Sequence, residues 1–159
     1  KIKSMASECI GIISVLDSSF VEKILELMNS NSENDISGAL IGLKQIYHSK
    51  EFDYEKLDKL ITNHIKCLKD ESNFNIKQNA YSSLTNLLSE FSKHVLENKE
   101  YRKTLFESFA SNYLVNKDLF ETYDLGGGVK ITNDKGLIIR KSIYTCINYI
   151  LDTYPSNID

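Results

Sequence analysis

One apolar pattern recurs four times along this chain, and no other feature limits so strongly what it can fold into. The pattern is an Ile followed by an apolar or small residue four, eight and eleven positions later. Ile2, Ala6, Ile10 and Ile13 make the first copy; Ile76, Ala80, Leu84 and Leu87 the third; Ile139, Ile143, Ile147 and Ile150 the fourth. A basic residue follows the leading Ile in these three, as Lys3, Lys77 and Arg140. The second copy, Ile36, Leu40, Leu43 and Ile46, slips by one residue after Leu40 and carries Ser37 at the basic position. Such offsets mark one face of a helix with 3.6 residues per turn.

Further helical segments lie between the copies. Phe20, Val21, Ile24, Leu25 and Met28 line one, Leu57, Leu60, Ile61, Ile65 and Leu68 the next, and Tyr101, Leu105, Phe106, Phe109 and Tyr113 a third. Each repeat is then a helix pair. Ser19 with Glu22 three residues later reads as a capping box for the first partner helix, and Asp53 as a cap for the second. The leading Ile residues stand 34, 40 and 63 positions apart, and the first two intervals match the period of two-helix HEAT or armadillo units. The third is too long by about twenty residues, taking a 40-residue repeat as the norm. The excess falls where the helical pattern breaks. In that stretch Tyr123 and Leu125 alternate with Thr122 and Asp124, and Val129 and Ile131 alternate with Lys130 and Thr132, on either side of Gly126-Gly127-Gly128. Alternation around a glycine turn predicts a β-hairpin. The expected fold is all-α: a HEAT/armadillo-like α-solenoid of about three to four helix pairs, one domain over residues 1–159, with one β-hairpin inserted at 119–135. Each repeat covers its neighbour in such a stack, so its end helices are expected to expose apolar faces. A two-stranded hairpin is marginal alone, so it is expected to lean on the stack or to be covered by a partner.

The chain has 159 residues, 19 basic against 22 acidic, and a net charge of −3. A broad positive field is therefore absent, which argues against nucleic acid as a partner. The longest apolar run, Cys9 to Leu16, suits a buried helix segment and is too short to span a bilayer. Three cysteines, Cys9, Cys67 and Cys146, are odd in number and lie in apolar helical patterns. That usage fits buried reduced thiols in a cytoplasmic and nuclear protein. The first residues lack an initiating Met and a signal-peptide pattern and already sit in a helical pattern, as if cut from something longer.

No His-Glu-x-x-His, Walker or nucleophile-elbow spacing occurs, so the expectation is a protein that is not an enzyme and carries no cofactor. The triple glycine lacks the Lys-Ser/Thr ending of a phosphate loop and reads as a turn. His64 and Cys67, three apart on a helix, would give zinc two ligands with no second local pair to complete the site. His48 and His94 fall near helix ends, where surface or capping roles suffice. Tyr81, Tyr113 and Tyr144 lie at helix-facing positions and read as core or groove-lining residues. Lys77, Arg140 and Lys141 allow two readings, a basic ladder along a concave face or solvated structural charges.

The insertion reads Asp124-Leu125-Gly126, then Val129-Lys130-Ile131-Thr132, then Gly136-Leu137-Ile138-Ile139-Arg140-Lys141. It resembles the C-terminal region of the cullin-associated and neddylation-dissociated proteins, also known as TATA-binding-protein-interacting proteins. Asp124, Leu125, Gly126, Lys130, Thr132, Asp134, Gly136, Leu137, Arg140 and Lys141 match that family's insertion, and Ala6-Ser7-Glu8-Cys9-Ile10-Gly11 is similar to its Ala-Glu-Cys-Leu-Gly helix with one residue inserted. The family's Pro-Phe is replaced by Gly127-Gly128-Val129 and its His by Ile131. The resemblance implies a HEAT superhelix around a cullin and its RING subunit, its C-terminal repeats on the cullin N-terminal region. It further implies that the hairpin occupies ground needed by the substrate-receptor adaptor, so that the protein regulates assembly and exchange of cullin-RING ubiquitin ligases. The expected contacts are Tyr123, Asp124, Leu125, Gly126, Gly127, Gly128, Val129, Lys130, Ile131 and Thr132, with neither nucleic acid nor membrane as partner. An importin-like or adaptor HEAT protein that binds other cargo is the alternative; a spacer and a catalytic module are lesser ones.

Overall fold

The computed structural model of the chain describes residues 2–17, 19–48, 54–69 and 73–154. Among them are seven α-helices: α1 (Ile2–Leu16), α2 (Ser19–Met28), α3 (Glu33–Tyr47), α4 (Tyr54–Leu68), α5 (Phe74–Glu97), α6 (Lys99–Asn112) and α7 (Leu137–Thr153). A 3-10 turn at Lys117–Leu119 leads into strands β1 (Phe120–Asp124) and β2 (Lys130–Asp134), which pair antiparallel between α6 and α7. The fold is mostly helical with one small two-stranded sheet, as expected. The strands begin one residue later than the pattern placed them, because Leu119 closes the 3-10 turn.

The four pattern copies fall on α1, α3, α5 and α7, and these pack in that order, α1 on α3, α3 on α5 and α5 on α7. The intervening helices form a second layer in which α2, α4 and α6 touch in succession and each contacts the first layer. Apolar stripes drive this arrangement, since a helix with one greasy face gains by burying it against a neighbour. In α5 all four pattern residues are buried, and in α4 so are Leu57, Leu60, Ile61, Ile65 and Leu68. The second and fourth copies are buried apart from Ile36 and Ile147, which pack half-buried against the core.

The first copy departs from its reading. Ala6 and Ile13 are exposed and Ile10 is half-buried, while the side chain of Ile2 lies outside the described residues. Helix α1 instead meets α3 backbone to backbone: a Cβ on Gly11 would lie 2.3 Å from the Gly42 carbonyl oxygen. Met5, Ile12, Val15 and Leu16 are exposed as well. Phe106 of α6, Tyr113 just past its end and Phe20 of α2 also face outward, so those stripes are narrower than the sequence suggests.

Helix starts follow local chemistry. Asn73 caps α5 by accepting from the N–H groups of Asn75 (2.9 Å) and Ile76 (3.1 Å), and Asn98 does the same for α6 at Glu100 and Tyr101. Ser32 caps α3 at Asp35 N–H. A short side-chain acceptor satisfies N–H groups that have no partner in the first turn. At α2 the capping-box reading is corrected: Ser19 is already helical, and its N–H donates to the Asp17 carboxylate at 2.9 Å. Asp53 lies outside the described residues. Helix α5 bends at Phe91, whose φ of −123° and ψ of 22° leave the helical region.

Candidate docking site

The hairpin is built on a ladder in perfect two-fold alternation. Tyr123 pairs with Ile131, Thr122 with Thr132, and Asp124 with Lys130. Leu125 N–H donates to the Val129 carbonyl at 3.0 Å, and Lys135 N–H donates to the Leu119 carbonyl at 3.1 Å, so the ladder runs one step past each end of the strands. The turn needs its glycines: Gly126, Gly127 and Gly128 have φ of 82°, 61° and 83°, a region costly for any residue with a Cβ. The Asp124 carboxylate steadies the turn by accepting Gly126 N–H at 2.8 Å.

Alternation places Tyr123 and Ile131 together on one face, with Leu125 and Val129 beside the turn. These four are exposed by half or more, Leu125 most at 64%. Such a cluster in contact with solvent marks a candidate interaction surface. The opposite face is polar near the turn, with Thr122 and Thr132 hydroxyls 3.3 Å apart, and carries Phe120 at its root. All ten candidate residues, from Tyr123 to Thr132, are therefore exposed on one projecting element.

Two ion pairs anchor its root, and the sequence reading had assigned neither. Glu121 on β1 pairs with Lys135 and accepts from the Tyr123 hydroxyl at 2.5 Å. The Lys135 ammonium, with the tyrosine hydroxyl, holds the Glu121 carboxyl below its usual range. Asp134 at the end of β2 pairs with Arg140 in the first turn of α7, and that guanidinium holds the Asp134 carboxyl low. The carboxylate also lies at the helix N-terminus, where negative charge is favoured. Arg140 is only 8% exposed, which corrects the basic-ladder reading for it. Its charge is consumed in tying the hairpin to α7. Lys77 reaches Asn112 Oδ1 at 3.5 Å, and Lys141 is exposed. An open cleft of about 330 Å³ beside the root is lined by Phe74, Lys77, Asn112, Asn116, Leu119 and Ile139, among others. The spacing of Asp134 and Arg140 around Gly136 was the signal available for the anchor.

Compared with known proteins, the chain matches no protein-family model and no curated protein. What it does must be read from its own geometry.

The remaining candidates resolve as structure. His64 is fully buried: Nε2 donates to the Ala80 carbonyl at 2.8 Å, and Nδ1 accepts from the Tyr47 hydroxyl at 3.1 Å. The Ser83 hydroxyl lies 2.9 Å from Nε2. The Ala80 carbonyl only accepts, which fixes the proton on Nε2 in the neutral ring. Burial drives the His64 pKa down to about 4, partly offset by the bond to Ala80. Both ring nitrogens are thus committed, and Cys67 points its thiol at the Asn63 carbonyl (3.4 Å). Among the described residues no group of three or more His, Cys, Asp or Glu side chains is placed to hold a metal ion.

Of the three cysteines, none in a disulfide, Cys146 is buried, with its thiol pushed up to about 12 by burial, whereas Cys67 is half-buried and Cys9 exposed, against the expectation of three buried thiols. Tyr81 is a core residue, bonded to Ser108. Tyr113 and Tyr144 are exposed, not core. His94 bonds Asp58 at 2.8 Å near the end of α5. No helix among the described residues is long and apolar enough to cross a membrane.

Proposed function

We propose that this chain is a protein-binding scaffold of stacked HEAT-type helix pairs, and that its hairpin docks on the N-terminal region of a cullin in competition with the substrate-receptor adaptor. The observation that carries this reading is the anchored hairpin with Tyr123, Leu125, Val129 and Ile131 exposed together. An element held at its root and bare at its tip presents a fixed shape to a partner, so little ordering entropy is lost on binding. Support for the partner class comes from the resemblance of Asp124-Leu125-Gly126, Lys130, Thr132, Asp134, Gly136 and Arg140 to the cullin-associated family. In this reading Asp134 and Arg140 act as positioning residues that set the angle of the hairpin on α7. The mechanism is steric exclusion, the work is binding and not catalysis, and the setting is the cytoplasm and nucleus. Regulation of ligase assembly and exchange follows from that competition.

A hairpin this small buries less area than a tight complex needs, so the helices contribute a share and the isolated chain binds weakly. The test is a titration of the chain against a cullin N-terminal region, with adaptor as competitor, beside a variant in which residues 124–132 are replaced by a short Gly-Ser link. Binding lost in the variant and displaced by adaptor is the expected result. Binding that survives both changes would move the contact to the helices and end the hairpin reading.

A further inference from the structure

The hairpin also has edges, and the two differ. Since Leu125 bonds Val129 and Leu119 bonds Lys135, the odd-numbered residues between them exchange the ladder hydrogen bonds. The even-numbered residues therefore aim their N–H and C=O groups outward. On β1 these are Thr122 and Asp124, and on β2 Lys130 and Thr132. Among the described residues no protein group bonds these backbone atoms. An open edge of this kind is a template for another strand.

Lysine on an edge is a common guard against such pairing, and β2 carries Lys130 at its outward position. Strand β1, Phe-Glu-Thr-Tyr-Asp, has neither Lys nor Pro. With Glu121 paired to Lys135, its remaining charge is acidic, Asp124, with Asp118 in the preceding turn. A strand added to β1 would set one side chain opposite Tyr123, extending the apolar row begun by Tyr123 and Ile131. Its flanking side chains would stand opposite Thr122 and Asp124 on the polar face. Opposite charges across a strand pair are favourable and like charges are not.

We infer that the β1 edge is a docking site for an extended segment of a partner protein, one in which apolar side chains alternate with Lys or Arg. Added as a third strand, the segment turns a marginal two-stranded ribbon into a three-stranded sheet with a longer apolar row through Tyr123 and Ile131. This concerns the edge itself and goes beyond the cullin reading, standing or falling independently of it.

The test uses the whole chain, 15N-labelled, titrated with a capped synthetic peptide that alternates Val with Lys and Arg. Saturable shifts at the Thr122 and Asp124 amides, larger than those at Lys130 and Thr132, are expected. Thr122→Pro removes one outward N–H without breaking a ladder bond and should abolish them, while Thr132→Pro should leave them. Asp124→Asn keeps an oxygen to accept Gly126 N–H and removes only the charge, so it reads charge even if Thr122→Pro disturbs the hairpin; it should weaken binding about threefold. Shifts centred on β2, equal shifts from a peptide of the same composition with its Val residues clustered, or none at millimolar peptide would overturn the inference. Loss of cullin binding on replacing residues 124–132, with no peptide effect at β1, would sink this inference and leave the cullin reading standing. A peptide that binds β1 on a chain that ignores cullin would do the reverse.

Discussion

Around His64 the chain is enclosed from every side by α3, α4 and α5, whereas around Tyr123 it meets water on both faces of a two-stranded ribbon. The first region is determined by volume and buried polar pairing. The second is determined by backbone, through three glycines in the left-handed region, a hydrogen-bonded ladder and two ion pairs at the root. The difference teaches that in this molecule stability and recognition draw on different residues. Core residues can be changed only at the expense of the fold, while the exposed hairpin residues are free of that constraint.

The contrast is sharpest at Leu84, fully buried in the pattern of α5. Leu84→Ala removes packed methyl groups and leaves a void that the surrounding helices cannot fully close. Loss of about 2–5 kcal/mol of unfolding free energy is expected, measured by urea denaturation. A loss below about 1 kcal/mol would mean that the core around α5 is loosely filled.

Protonation probes the same region without mutation. His64 is neutral in the folded state, with its pKa lowered to about 4, and titrates near 6.5 once unfolded. Between those values the unfolded chain binds a proton that the folded chain refuses. Stability is therefore complete above about pH 6.5 and declines as the pH falls towards about 4, by about 3 kcal/mol over the whole window. Urea midpoints between pH 7 and 4.5 should fall in the native chain and fall less in His64→Gln. Parallel slopes in the two proteins would show that His64 is not the group responsible.

A smaller loss is expected where α1 meets α3. The Cβ of Gly11→Ala would sit 2.3 Å from the Gly42 carbonyl oxygen, and backbone, unlike the end of a side chain, has little room to yield. Helix α1 must move away from α3, at a cost of about 1–3 kcal/mol. Hydrogen exchange of α1 amides should speed up more than that of α5. Uniform change along the chain would mean that α1 does not yield locally.

The helices around α5 were legible because a fourfold pattern of Ile, Leu and Ala at helical spacing leaves few other ways to bury those residues. The hairpin was legible for a different reason, since alternation on both sides of a triple glycine fits few other structures. Three things were hidden. Gly11 does its work only through Gly42 on another helix, a pairing that sequence order does not reveal. His64 reads with Cys67 as half of an incomplete zinc site until Tyr47, Ala80 and Ser83 converge on it. Arg140, read with Lys77 and Lys141 as either a basic ladder or solvated charges, finds Asp134 only after the hairpin brings the chain back to α7. Periodicity also overstated burial at Ile13, Phe106 and Tyr113, since a stripe on one helix does not specify how wide a neighbour will cover it.

The smallest stability effect is expected at the aromatic residue of the proposed docking face. Tyr123 is half exposed; its ring lies beside Ile131 across the strands, and its hydroxyl reaches Glu121, which Lys135 already neutralises. Truncation removes one cross-strand contact from a ribbon that the main helical core does not depend on. Tyr123→Ala should leave the urea midpoint of the whole chain nearly unchanged, within about 0.5 kcal/mol. The ladder bonds of the ribbon involve backbone alone and persist, so Leu125 and Lys135 amides should keep their protection from exchange. Affinity for a partner seated on the Tyr123 and Ile131 face should fall strongly, because a large aromatic side chain at the centre of a small contact carries a disproportionate share of its energy. A Tyr123→Ala chain that unfolds early would make the ribbon part of the core and erase the division between the two regions. One that folds normally and binds normally would preserve the division and move recognition off this face.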